Sequence, residues 1–217
     1  MFNVGKISKK QKLVIFDFDG VIVDSLKVIA EFDKWLYPTL TEEEWEDTHR
    51  GNYFVKMLPH EHKRRNASQE EITTRRDEFY KNKNEAEIFL GMKECILQIP
   101  TDIICVINTT SKFDGCSRLL NKASLLNRFS YLATKEVSTS KKEKFKILLN
   151  KFHITSSNAL FITDTIGDLL EASSLEIKTI CVTWGVHSRE DFLEYGPHKI
   201  AETPQELLTS IQQFAED

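Results

Sequence analysis

A chain of 217 residues can bury a full hydrophobic core and still carry an insertion. Its composition, 41% hydrophobic and 29% charged, is that of an ordinary soluble globular protein. The net charge of -4 argues against nucleic acid as the main partner, because a phosphate backbone wants a basic face; a phosphorylated small molecule stays open, since one metal ion reverses the local sign.

Residues Met1 to Lys12 hold lysines but no apolar segment before a cleavage site, so no secretory signal is expected. No run approaches the ~18 apolar residues of a membrane helix. Cys95, Cys105, Cys116 and Cys181 form no C-x-x-C pair and have no His cluster beside them. Reduced, mostly buried thiols in a cytoplasmic protein are expected. Leu13-Val14-Ile15-Phe16 then predicts a short strand buried on both faces. The run ends in Asp17 and Asp19, one residue apart, and Gly20. Carboxylates do not belong in a core, so the pair is expected at the carboxyl edge of a parallel sheet, where ligands bind. Gly20 lets the backbone turn away. Two acids so close repel unless a cation lies between them, and a hard divalent ion is the usual answer.

Ser25 is placed to cap a helix from Leu26, with Val28, Ile29, Phe32, Trp35 and Leu36 at helical spacing. Tyr37-Pro38 stops it. Thr41 followed by Glu42, Glu43 and Glu44, and Ser68 followed by Glu70 and Glu71, are two further start signals. No strand pattern appears from 25 to about 88, so this block reads as a small helical bundle inserted after the first strand. Beyond Gly91 the rhythm changes. Helices are expected over 92–99, 112–122, 141–152, 166–175, 188–195 and 203–214, and strands over 102–107, 129–132, 159–162 and 177–182. That alternation predicts an α/β fold, a Rossmann-like parallel sheet with helices on both faces. The domains are then an α/β core over 1–24 and 86–217 and an all-helical unit over 25–85.

Polar clusters follow the predicted strands: Asn108-Thr109-Thr110-Ser111, then the lysines from Lys141, then Thr163-Asp164-Thr165-Ile166-Gly167-Asp168. One edge of one sheet could bring them all to Asp17 and Asp19. The string Asp17-Phe18-Asp19-Gly20, continued by Val21-Ile22-Val23-Asp24-Ser25, resembles the first motif of the haloacid dehalogenase superfamily of phosphohydrolases. The later clusters resemble its other motifs, and Val182-Thr183-Trp184-Gly185 resembles the segment after the last core strand in phosphoglycolate-phosphatase-like members.

The resemblance implies a Mg2+-dependent phosphatase acting on a small phosphorylated metabolite. Asp17 would be the nucleophile and Asp19 the general acid/base, its main-chain carbonyl also reaching the metal. Thr109 would bind a phosphoryl oxygen, with Asn108 or Thr110 as alternatives. Lys141, or Lys142 beside it, would neutralise the phosphoryl group, although the proline that often follows in relatives is missing. Asp164 would bind the metal, and Asp168 would ligate through water or orient the lysine; Thr163 stands where relatives have glycine. The insertion would be a cap that supplies substrate contacts. Among His49, Arg50, Asn52, Tyr53, Lys56 and the segment His62-Lys63-Arg64-Arg65, the charges of Arg50 and Lys56 best complement an anionic substrate.

Three other readings share these motifs: a phosphosugar mutase of the β-phosphoglucomutase type, a phosphonate hydrolase using Lys56 or Lys63 as its amine, and a non-catalytic binding protein. A dehalogenase is disfavoured, since its usual motif lacks the second aspartate.

Overall fold

The structure, a computed structural model, describes residues 11–51 and 53–217. The expectations for residues 1–10 and for Asn52 lie outside the described residues. In chain order the strands are β1 (Leu13–Phe16), β2 (Val23–Asp24), β3 (Glu87–Ile88), β4 (Ile104–Asn108), β5 (Tyr131–Ala133), β6 (Ala159–Thr163), β7 (Lys178–Val182) and β8 (Lys199–Ala201). Four helices separate β2 from β3: α1 (Leu26–Leu36), α2 (Glu42–Thr48), α3 (Tyr53–Met57) and α4 (Gln69–Lys83). The later ones are α5 (Met92–Gln98), α6 (Phe113–Lys122), α7 (Lys141–Phe152), α8 (Ile166–Ser173), α9 (Arg189–Leu193) and α10 (Pro204–Glu216).

Among the described residues, six strands form one parallel sheet in the order β5-β4-β1-β6-β7-β8. The wholly apolar β1 lies inside it, Ile15 pairing with Val106 on one side and Phe161 on the other. Its side chains alternate between two cores, as successive strand residues must. Val14 and Phe16 pack with residues of α5, α6 and α10, whereas Leu13 and Ile15 pack with Phe145 and Leu148 of α7 and Ala172 of α8. Both faces are therefore covered, which explains why the strand reads as a continuous apolar run. All four cysteines are buried and unpaired. No helix among the described residues is long and apolar enough to cross a membrane.

The two expected start signals both form capping boxes, Thr41 with Glu44 and Ser68 with Glu71. Ser25 does not cap α1; its hydroxyl donates instead to Asp19 Oδ1 at 2.6 Å. Three pieces carry too little pattern to be read in the sequence. The two-residue strands β2 and β3 pair antiparallel, so both chain crossings between the helical block and the sheet run through one ribbon. A 3-10 segment, Leu58–Lys63, follows α3 directly. The sheet also gains a short edge strand, β8, beyond β7.

Candidate active site

The parallel topology carries every strand to the same edge, so the residues just past β1, β4 and β6 converge there. Asp17 follows β1, and its N–H donates to the Ile162 carbonyl at 2.9 Å, extending the ladder by one residue. The Phe18 N–H donates to Asp17 Oδ1 at 2.6 Å, and Lys141 Nζ reaches Asp17 Oδ2 at 2.5 Å. The same ammonium donates to Asp168 Oδ2. Gly20 has φ +74°, and a Cβ there would fall 2.0 Å from Asp164 Oδ2. The turn after β1 can therefore approach Asp164 only as glycine.

Of the three carboxylates gathered here Asp17 and Asp164 are buried and Asp168 partly so, and Asp17 and Asp168 share the one Lys141 ammonium. Burial drives Asp17 well above the ordinary carboxyl range, with repulsion from Asp168 and Asp164 adding to it. Burial likewise raises Asp164 to about 7. For Asp168 the contact with Lys141 outweighs burial and holds the carboxyl down. Lys141 itself is raised, its two carboxylate partners outweighing burial.

Asp19 is held differently. Its Oδ1 accepts from Ser25 Oγ at 2.6 Å and pairs with Lys83 Nζ at 2.7 Å, while Oδ2 accepts from Ser111 Oγ at 2.5 Å. Burial raises its pKa, but Lys83 and the two hydroxyls outweigh burial and leave it lowered. Lys83 lies in the last turn of α4 and also donates to Ser111 Oγ at 2.6 Å. A cation from the helical block thus reaches across to the sheet edge.

The donor set fits a divalent cation. Asp164 Oδ1 is buried with no hydrogen-bond partner, while Oδ2 accepts from the Val186 N–H at 3.0 Å. An orphaned carboxylate oxygen beside a second raised carboxyl group, Asp17, suits a hard oxygen-loving ion. No three His, Cys, Asp or Glu side chains form a ready-made cage among the described residues. The reason is visible in the pairing. Asp19 spends its oxygens on Ser25, Ser111 and Lys83, and Asp168 spends Oδ2 on Lys141 and on Thr163 Oγ1 at 3.3 Å. Of the four aspartates expected at a metal, the side chains suited to it are Asp17 and Asp164; Asp168 is paired with Lys141 through Oδ2, and Asp19 has its main-chain carbonyl left to offer.

Lys141 rather than Lys142 enters the site. Lys142, the next residue round the helix, has its N–H on Glu171 Oε2 at 2.9 Å. The loop after β4 splits its roles. Thr110 and Ser111 line the cavity. Thr109 is 1% exposed and its Oγ1 accepts from the Ser111 N–H at 3.0 Å. Asn108 is buried and donates from Nδ2 to the Lys141 carbonyl at 3.1 Å, which anchors the first turn of α7. Lys144, wholly buried, donates to the Thr109 carbonyl. Neither Lys83 nor Lys144 was marked by the sequence, where each is one lysine in a charged helix.

Arg50 and Lys56 do not enter the cavity. Arg50 turns onto Asp191, and Lys56 Nζ onto Asp47 Oδ2 at 3.1 Å. Arg50 follows α2 and Lys56 lies in α3, and each is held by a carboxylate outside the cavity lining, Asp191 part-buried and Asp47 exposed. Lys63 pairs with Glu44. His49 and Tyr53 do line the cavity.

A model of the family of haloacid dehalogenase-like hydrolases matches residues 14–182. A phosphoglycolate phosphatase from Synechococcus elongatus is 21% identical over 211 residues, covering 93% of this chain and 97% of that protein. Among solved structures, a haloacid dehalogenase-like hydrolase from Streptococcus pneumoniae superposes with a TM-score of 0.70 at 20% identity, over 93% of this chain and 99% of that one. A predicted phosphatase from Clostridium acetobutylicum gives 0.74 at 19% identity, over 94% and 99%. These two likenesses are of fold.

Proposed function

The chain belongs to the haloacid dehalogenase-like hydrolase family, and on that footing we propose that this enzyme is a Mg2+-dependent phosphatase cleaving a small organic phosphomonoester through an aspartyl-phosphate. The observation that carries the reading is the buried Asp17 carboxylate, fixed by the Phe18 N–H and Lys141, beside the orphaned oxygen of Asp164.

In the first half-reaction a bond forms between an Asp17 oxygen and phosphorus while the bond to the ester oxygen breaks. Asp19, having taken up a proton from solvent as the substrate binds, passes it to the leaving alkoxide. In the second, Asp19 removes a proton from water as that water attacks the acyl phosphate, releasing inorganic phosphate and restoring Asp17. Lys141 offsets the charge on the nucleophile and the phosphoryl oxygens. Mg2+ held by Asp17, Asp164 and the Asp19 carbonyl would supply further neutralisation of the phosphoryl group. The Lys83 contact keeps Asp19 ionised at rest. A phosphoryl dianion beside Lys83 competes for that ammonium, and Asp19 then regains its affinity for a proton.

Phosphate release from a panel of phosphorylated metabolites tests this reading. Release is expected with Mg2+ and is expected to vanish when the metal is chelated. No release from any ester, with the protein folded, would overturn the proposal. The four buried, unpaired thiols support a cytoplasmic setting.

The helical block acts as a cap that shields the reaction from water. In support, the Gly167 N–H donates to the His49 carbonyl at 2.9 Å, and a Cβ on Gly167 would lie 2.2 Å from the Gly51 carbonyl oxygen. Gly167→Ala therefore holds the cap off the core. We expect kcat/KM to fall by roughly 10- to 100-fold, the scale of an ångström-sized misplacement. Thermal stability should hold, because alanine favours a helix by about 1 kcal/mol over glycine. Kinetics and a melt on the same preparation check both.

A further inference from the structure

We propose that the leaving group of the substrate is an uncharged alcohol with an aromatic or branched aliphatic body, a claim that rests on the phosphomonoesterase reading above. The cavity between the sheet edge and the helical block has a volume of about 620 Å3. Its charge is divided by position. The lysines on its wall are Lys112 after β4, Lys135 after β5, Lys141 at the start of α7, and Lys83. Lys112 and Lys135 follow strand ends, and Lys141 and Lys83 are drawn to the same edge by Asp17 and Asp19.

The far wall is built from Leu26, Ile29 and Phe32 of α1, Met57 of α3 and Phe79 of α4. Phe32 and Phe79 meet with ring centroids 4.8 Å apart. The acidic groups on that wall are Asp33 and Glu61. Asp33 is 6% exposed and accepts from Trp45 Nε1 at 3.0 Å, and Glu61 accepts from Tyr37 Oη at 2.7 Å. The basic residues of the helical block that could have reached inward are committed elsewhere: Arg50 to Asp191, Lys56 to Asp47, Lys63 to Glu44 and Arg65 to the Trp35 carbonyl. His49 lines the cavity, but burial lowers its pKa and its Nδ1 is engaged by the Trp45 carbonyl at 2.9 Å.

A second anionic group set against that far wall would thus face apolar side chains and the carboxylates of Asp33 and Glu61, while among the cavity's lysines Lys83 is held by Asp19, Lys112 lies over the Tyr80 ring at 4.4 Å and Lys141 sits between Asp17 and Asp168. A short carboxylate such as glycolate, the leaving group implied by the name of the Synechococcus protein, would leave this chamber unfilled and would have to draw Lys83 from Asp19. An aromatic or branched aliphatic body fills the chamber and buries apolar surface against Phe32 and Phe79.

The test compares 2-phenylethyl phosphate with 2-phosphoglycolate, both esters of alkyl alcohols. We expect kcat/KM for phosphate release to favour the phenyl ester by roughly tenfold or more, the scale of apolar pocket discrimination, and Phe32→Ala to shrink that ratio. Equal or better turnover of phosphoglycolate by the wild-type enzyme overturns the inference. Calorimetry with the inert analogues 3-phenylpropylphosphonate and 3-phosphonopropionate reads the same preference without turnover. If no ester is hydrolysed yet the phenyl analogue binds more tightly, the phosphatase reading fails while the cavity's preference for an uncharged apolar body stands. If the carboxylate analogue binds as tightly, this one fails as well.

Discussion

Replacing Asp17 with Asn abolishes phosphate release and leaves the protein folded and, without Mg2+, at least as heat-stable as the parent. Removing a nucleophile that acts within a unit costs on the order of 10^4-fold or more. Asparagine keeps the volume and the oxygen that accepts from the Phe18 N–H. It removes one of the two carboxylates paired with a single ammonium, in a site that also buries Asp164. Burial first, and then repulsion from Asp168 and Asp164, makes the Asp17 charge costly; the neutral amide removes that cost, so stability does not fall with activity, as is usual where a site stores strain for function. A phosphate-release assay and a melt in chelator check the two halves. Retained turnover by the pure, folded variant would remove Asp17 as nucleophile.

The legible part of this site was the part written in strand ends. A run as apolar as Leu13–Phe16 can lie only inside a sheet, and the carboxylates directly after it must then lie on the edge. The same logic holds for β6 and Asp164, so convergence could be argued without knowing strand order. The lysine was legible only as a choice between neighbours, because the side of α7 that faces inward depends on where β4 and β6 carry it. The cap contacts were not legible. Lys83 meets Asp19 across 64 positions through the packing of α4 on α1, and its helix has no apolar stripe to say which face turns inward. Arg50 and Lys56 had the right charge, but charge does not reveal that Asp191 and Asp47 lie nearer than the substrate. Short elements failed for a related reason. The two residues of β2 and the three of β8 are strands because of their neighbours, not their own pattern.

Replacing Lys141 with Met produces the opposite balance, and with it the largest combined loss. Methionine roughly keeps the apolar stem but deletes the ammonium between Asp17 and Asp168, whose side chains are 7% and 17% exposed. Breaking a buried pair by removing one partner costs about 3–5 kcal/mol, since the remaining charge is stranded in low dielectric. For a chain of this length that corresponds to a fall in Tm of roughly 10 °C. Activity should drop by about 10^3-fold or more, as when a preorganised charge facing the transition state is lost. Lys142 cannot substitute, because it leaves the helix on a different side and its N–H is tied to Glu171. The double variant Lys141→Met with Asp168→Asn separates the two effects. Neutralising Asp168 removes one stranded carboxylate, so part of the lost Tm should return, while turnover stays lost because nothing restores the charge beside Asp17. Non-additive melts with additive or worse kinetics would bear this out. Recovery of turnover in the double variant would mean that Lys141 serves only to offset Asp168, and its place beside the nucleophile would have to be given up.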